Sequence, residues 1–319
     1  METAQQEKRA EADVTVVVVH WNNPAHLLRC LQALTTQSVA PRRIMVVDNA
    51  SDELPRNMVA DFPEVEWIWN STNLGFATAV NQAVRLTDSN WLATVNPDAF
   101  VRHDWLEQIM RAAGENRSFD FFASTLIRDD GRVDGAGDAF HMSGMAWRKQ
   151  HGQPIDRLPA EPVETFAACA AAALFRRSAF LEVEGMDGRY FCYFEDVDLA
   201  IRLRAAGYRC LYVPLARATH LGGGSGVSRA LQVYYGHRNL IWTYWKNVPW
   251  PRLITSLPLH VFYQLASLFW HSWHGQTMAI WRAKWDGLVG LLRLRREAKP
   301  RNGVSLDLAE TGWLAPIRK

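Results

Sequence analysis

The chain has 319 residues, enough for one large α/β domain plus an appendage. With 48% hydrophobic and 21% charged residues it is globular in composition, which excludes a disordered chain. A net charge of +2 gives no pull toward nucleic acid as a partner.

The opening METAQQEKRAEAD is polar and lacks an apolar core, so it is expected to be a disordered tail over 1–13 and not a signal peptide. VTVVVVHWNN (14–23) is a continuous β-branched run, the pattern of a strand buried on both faces. Asn23 and Pro24 then read as N-cap and first helical residue. A second strand, RIMVVDNAS, ends at Asp48, and a short helix over 53–61 leads to a third, VEWIWN. NLGFATAVNQAVRL (73–86) reads as helix, NWLATVNPDAF as a fourth strand ending near Asp98, and HDWLEQIMRAA as another helix. Such alternation with short links predicts a wound parallel sheet with helices on its flanks. Ligands bind such sheets at the carboxyl ends of the strands, where Asp48 and Asp98 fall.

From about 128 to 165 the chain is rich in Gly, Pro and charge and is expected to be a long irregular excursion. AACAAAALF (167–175) is ambiguous between helix and strand. SAFLEVEG reads as a short helix, FCYFEDVDLAIRLRAAG as a helix with Glu195, Asp196 and Asp198 at its start, and YRCLYVP as a strand leading to His220 and LGGGSG. The four cysteines have neither a CxxC nor a zinc spacing and read as reduced cytosolic thiols.

The segment 231–319 holds eight of the fourteen tryptophans, and 253–281 contains no Lys, Arg, Asp or Glu. That stretch has the length of a membrane span. His260, Gln264, Ser267, His271 and His274 nevertheless fall on one helical stripe, with Phe262, Leu265, Phe269 and Trp273 opposite. An amphipathic, Trp-rich helix lying in the headgroup interface is the expectation, assisted by the basic stretch 282–301 facing anionic lipid. The alternative is a helical cap with the tryptophans as core.

No G-x-G-x-x-G follows the first strand, no P-loop is present and no G-x-S-x-G occurs. A carboxylate at Asp48 can accept hydrogen bonds from a base edge or sugar hydroxyls, or it can simply close an Asx turn in DNAS. Asp98 in NPDA can hold a divalent cation or cap a turn, and His220 is a ligand type that such a cation accepts.

In order and spacing, VVVVHWNN, VVDNAS, NLGFATAVNQA, NPDAF, EGMDGRYFCYFEDVDLAIRLRAAGY and VPLARATHLGGGSG resemble the inverting family 2 glycosyltransferases of the GT-A fold, over about residues 14–226. The likeness is strongest to the bacterial rhamnosyltransferase-like subgroup. It implies that Asp48 contacts the nucleotide base, that Asn73 and Gly75 lie near the donor nucleotide, and that Asp98 and His220 bind the metal, Mg or Mn. Asp196 then matches the catalytic base, with Glu195 beside it. Asn96 stands where the D-x-D motif has its first acid, Gly188 where the family often has an acid, and Ala83 where it often has glycine. The implied donor is a dTDP- or UDP-sugar. The acceptor would be a lipid-linked saccharide or glycan of the cell envelope, reached from the cytoplasmic face of the inner membrane. A metal-dependent hydrolase, a nucleotidyltransferase and an inactive scaffold are the rival classes. The expected organisation is a catalytic domain over 14–230 and a Trp-rich helical segment over 231–319.

Overall fold

The computed structural model describes residues 9–53, 55–222 and 227–297. The first half alternates strand and helix: β1 (Glu11–His20), α1 (Pro24–Thr35), β2 (Ala40–Asp48), α2 (Asn57–Asp61), β3 (Val65–Trp69), α3 (Phe76–Val84), β4 (Trp91–Val95), β5 (Ala99–Val101) and α4 (Trp105–Glu115). The β-branched run of β1 buries Val14, Val16 and Val18 into one core and Val17 and Val19 into the other. It therefore sits inside the sheet, parallel to both β2 and β4, and β2 is parallel to β3. The expected N-cap forms: the Asn23 side chain accepts from the His26 amide at 3.2 Å. The 1–13 tail is shorter than expected, since Glu11 already pairs with Ala40. Residues 1–8 lie outside the described residues.

The second half is mixed. It contains β6 (Phe121–Ile127), β7 (Val133–Ala136), β8 (Asp138–Phe140), β9 (Ala146–Arg148), β10 (Val163–Thr165), β11 (Ala172–Arg176), α5 (Arg177–Glu182), α6 (Glu195–Ala205) and β12 (Cys210–His220). The large sheet runs β10-β12-β6-β11-β4-β1-β2-β3. Of the alanine run only the end, from Ala172, forms strand β11, antiparallel to β4 and β6. Its side chains alternate between the two cores, Ala172 and Leu174 in one and Ala173 and Phe175 in the other, and this packing overrides helical propensity. The expectation of an irregular 128–165 excursion is corrected: β7 pairs with β6, β8 with β9, and β10 with β12. These strands are only three or four residues long, too short to leave a periodic signal.

Three helices follow: α7 (Arg229–Asn247), α8 (Trp250–Trp273) and α9 (Thr277–Glu297). α9 reaches α7 closely through two glycines. A Cβ at Gly287 would stand 2.8 Å from Ile241, and one at Gly290 would stand 2.7 Å from Trp242. The Trp242 indole donates to the Gly287 carbonyl at 3.0 Å. The polar stripe of α8 faces the protein from His260 to His271, while His274 is exposed at the helix end. His260 donates to the Ser143 carbonyl at 2.7 Å and stacks on Tyr244, while Gln264 and Ser267 accept from Lys284 of α9. His271 meets His237 of α7 at 3.0 Å. The apolar side faces outward: Phe269 is 74% and Trp273 88% exposed, and Met278, Trp281 and Trp285 of α9 extend the same character. At 24 residues and mean hydropathy 1.2, α8 is long and apolar enough to cross a membrane by length and composition. Of the basic stretch 282–301, Lys299 and Arg301 lie outside the described residues, as does Trp313.

Candidate active site

A cavity of about 590 Å³ opens at the carboxyl ends of the parallel strands. Asn73, Gly75, Asn96, Asp98, Glu195, Asp196 and His220 all line it, so residues scattered over 148 positions of sequence meet at one place. The register explains part of this. β12 runs antiparallel to β5 with His220 opposite Ala99, which brings the histidine beside Asp98.

Asp98 and His220 are both buried, with Oδ1 and Nε2 3.7 Å apart. The imidazole Nδ1 donates to Asp134 at 2.7 Å, so its lone pair lies on Nε2, toward Asp98. Two electron-pair donors at that separation are too far apart to hydrogen-bond and are spaced to share a hard cation. Asp134 also accepts from Arg148, and these contacts hold its carboxyl below the ordinary range against the opposing effect of burial. An outer carboxylate that fixes the tautomer of a ligating histidine is a recurrent feature of metal sites. Asp134 and Arg148 belong to β7 and β9, inside the segment expected to be irregular, and for that reason sequence reasoning passed over them.

Asp196 lines the same cavity, in the first turn of α6. Its Oδ2 accepts from the Ala170 amide at 3.2 Å and its Oδ1 from the Val197 amide at 2.8 Å. Burial nevertheless raises its proton affinity above the usual carboxylate value, with those amides and Arg148 opposing the rise. Glu195 is buried with Oε2 unpartnered, and burial together with Asp196 pushes its carboxyl well up. Asp138, from β8, is a third acid here. Its Oδ1 is buried without a partner, and burial followed by the Asp196 charge pushes it to about 8. Asp196 is thus flanked by two carboxyls whose protonated forms are favoured by burial. Ligand atoms of Asp138, Cys169 and Asp196 lie within 4.8 Å of one another. Burial also pushes the Cys169 thiol up, so a cation here would have to displace protons that burial favours on Asp138 and Cys169. Asp98 and His220 are the better cation pair.

Asp198 is quite different. It is fully buried and accepts from Arg202 at 2.7 Å, Lys246 at 2.8 Å and Asn247 at 2.8 Å. Lys246 and Arg202 hold it far below the usual range against burial. It ties α6 to α7.

Asp48 is fully buried and does not line the cavity. Its oxygens accept from the Ser51 amide at 3.1 Å and the Ser51 hydroxyl at 2.7 Å, which is the Asx turn of its alternative reading. The neighbouring Asn49 reaches the cavity instead. It donates to Asn73 at 2.9 Å and accepts from the Leu74 amide at 3.0 Å, while Asn73 accepts from the Gly75 amide at 2.9 Å. Gly75 begins α3 with φ +80°, and a Cβ there would stand 2.6 Å from the Phe191 carbonyl oxygen. Glycine is required by both conformation and space. Of LGGGSG, residues 223–226 lie outside the described residues.

The chain is similar to known proteins over most of this framework. The family model described as "Glycosyl transferase family 2" matches residues 15–183. An N-acetylglucosaminyl-diphospho-decaprenol L-rhamnosyltransferase of Mycobacterium tuberculosis is 30% identical over 236 residues, 64% of this chain and 75% of that protein. Rhamnosyltransferase WbbL of Escherichia coli is 26% identical over 221 residues, 65% of this chain and 83% of that one. Among solved structures, the mannosyltransferase PcManGT from Pyrobaculum calidifontis, in complex with GDP-Man and Mn2+, superposes with a TM-score of 0.54 at 14% identity. That match covers 88% of this chain and 87% of the other, and it is a likeness of fold.

Proposed function

Since the chain belongs to glycosyl transferase family 2, and is a glycosyltransferase of the GT-A fold, we propose that this cavity moves a sugar, rhamnose being the first candidate, from a nucleoside diphosphate carrier to a lipid-linked saccharide in cell-envelope polysaccharide synthesis. The observation that carries the reading is the convergence on one cavity of the Asp98 and His220 pair with the half-buried Asp196 carboxylate at the start of α6. That set suits one in-line displacement. The acceptor oxygen forms a bond to the anomeric carbon, the bond from that carbon to the diphosphate breaks with its electron pair, and the acceptor proton goes to Asp196. One displacement inverts the stereochemistry.

Raised proton affinity makes Asp196 a better base than an ordinary surface aspartate. Burial favours the protonated forms of Glu195 and Asp138, and the amides of Ala170 and Val197 favour the ionised form of Asp196, which suits Asp196 as the proton acceptor. Asn73, Gly75 and Asn49 line the cavity and are the residues this reading assigns to the nucleotide. Asp48 supports that wall through its turn, which narrows the base-contact reading to the adjacent Asn49. A divalent cation, Mg or Mn, held at Asp98 and His220 would offset the charge developing on the diphosphate.

The acceptor reading draws on the lipid-linked substrate in the name of the mycobacterial relative and on the outward apolar face of α8 and α9. An α8 crossing the bilayer would strip His260, Gln264, Ser267 and His271 of the partners they have on α7, α9 and Ser143. A helix lying on the cytoplasmic surface of the membrane keeps them. Calorimetry with dTDP, UDP and GDP, each with and without Mn or Mg, tests the donor side. Cation-dependent binding of dTDP or UDP, followed by transfer from the matching sugar nucleotide to a polyprenyl-diphosphate saccharide, is expected. Failure of every nucleotide to bind would overturn the reading.

A further inference from the structure

Directly before the base, the backbone is strained. Phe191 has φ 67° and ψ −68°, Tyr193 has φ 66° and Phe194 has φ 70°. Three left-handed non-glycine residues within four positions cost about 1–3 kcal/mol each. Phe191 forms a rare, strained type of γ-turn, closed by the Cys192 amide donating to the Tyr190 carbonyl at 2.9 Å. No local sequence feature favours this course, since aromatic residues resist positive φ. The surroundings must impose it.

One side chain dominates those surroundings. Asn239, on α7, is completely buried, and its Nδ2 lies 2.9 Å from the Tyr190 carbonyl, 2.9 Å from that of Cys192 and 2.7 Å from that of Tyr193. Arg238 fixes the amide orientation by donating to Asn239 Oδ1 at 2.9 Å. Its Nη2 reaches the carbonyls of Arg189 and Tyr190 at 3.1 and 2.9 Å. On the far side of the turn, the Ala77 amide donates to the Phe191 carbonyl at 3.4 Å. The turn thus lies between α3, on the nucleotide wall, and α7. Its product is geometry: Phe191, Tyr193 and Phe194 become cavity wall, and α6 starts at once with Glu195 and Asp196.

We propose that Asn239, steadied by Arg238, is a positioning residue for the transfer: it holds the 190–194 turn in its left-handed form and so sets where Asp196 stands against the acceptor. The proposal rests on the transferase reading of the cavity, and its test separates the two. Hydrogen exchange is compared first between wild type and Asn239→Ala. Amides 191–197 should lose protection while those of β1, β2 and β4 keep theirs; unchanged protection of 191–197 overturns the proposal whatever the reaction proves to be. Turnover is then measured in a double-mutant cycle with Tyr193→Gly, since glycine takes positive φ without strain. Asn239→Ala should lower kcat by about 100-fold, the scale of a 1 Å misplacement, and leave the Kd for the nucleoside diphosphate within about 2-fold. The loss should shrink several-fold in the Tyr193→Gly background. An equal loss in both backgrounds, or a Kd that falls away with kcat, marks a merely structural residue and overturns the proposal. Should Asn239→Ala not fold, Asn239→Ser, which retains one donor, enters the same two measurements with the same criteria.

Discussion

Asp196 and Asp198 are two residues apart, and exchanging each for asparagine should produce opposite phenotypes. Asp198→Asn keeps the shape but removes a fully buried negative charge that faces Arg202 and Lys246, whose side chains are only 5% and 9% exposed. Stranding a buried cation costs about 3–5 kcal/mol. Lys246 retains Asp187 at 2.7 Å and Arg202 retains the Val183 carbonyl, so the low end, about 3 kcal/mol, applies. For a domain of this size that is roughly a 6–12 °C fall in Tm. The sign with pH follows from the depressed carboxyl. Its stabilisation is complete above the ordinary aspartate value of about 4 and fades as pH falls below it, so the gap between wild type and variant should narrow toward pH 2. Asp196→Asn should behave otherwise. Burial already disfavours its ionised form, so Tm near pH 7.5 should equal or exceed that of wild type, while kcat falls by about 10²–10⁴-fold. Differential scanning calorimetry at several pH values, with turnover on the same samples, decides. An Asp198→Asn protein within about 3 °C of wild type, or an Asp196→Asn protein as destabilised as Asp198→Asn, would refute the reasoning.

Asp134→Asn should weaken Mn binding by about 10–100-fold, read by calorimetry, because the carboxylate that fixes the His220 tautomer is gone; unchanged affinity would remove His220 from the cation site. Lys284 is buried among Gln264, Ser267 and His237, and burial holds it near 7, well under the usual lysine value. Between about pH 7 and 10 the unfolded chain carries a proton that the folded one has released, so wild-type stability should rise relative to Lys284→Met by on the order of 1 kcal/mol per pH unit; parallel pH profiles in urea titrations would contradict the burial. Phe269→Ser with Trp273→Ser should cut sedimentation with anionic vesicles by several-fold and leave Tm unchanged, since both side chains are mostly exposed; equal sedimentation would remove these residues from the contact.

The parallel half of the sheet was legible because β1 holds a long apolar run and β2 a shorter one at 44–47, and a strand buried on both faces writes its burial locally. Asp98, Asp196 and His220 were legible through motif order. Asp134, Asp138 and Arg148 were not, because strands of three or four residues in a Gly-rich stretch carry no period and take their places only from partners far away in the chain. At Asp48 and Asn49 the sequence offered two adjacent polar residues at a strand end. Only the Ser51 contacts decide which of them turns away from the cavity. The stripe on α8 was visible as a period, but a period does not say which side meets the protein; the contacts of His260 and Gln264 do. Asn239 gave no signal at all, since its partners are carbonyls, which every residue has.

The glycine at position 75 bears on how this enzyme could be rebuilt. With 2.6 Å between its missing Cβ and the Phe191 carbonyl, the start of α3 and the 190–194 turn are held at the thickness of one backbone. A chimaera that takes its first hundred residues from one relative and the rest from another would join two surfaces shaped separately at that contact. Such hybrids should work only when residue 75 and the 190–194 turn come from the same parent, so the seam for recombining donor and acceptor specificities does not follow the order of the chain.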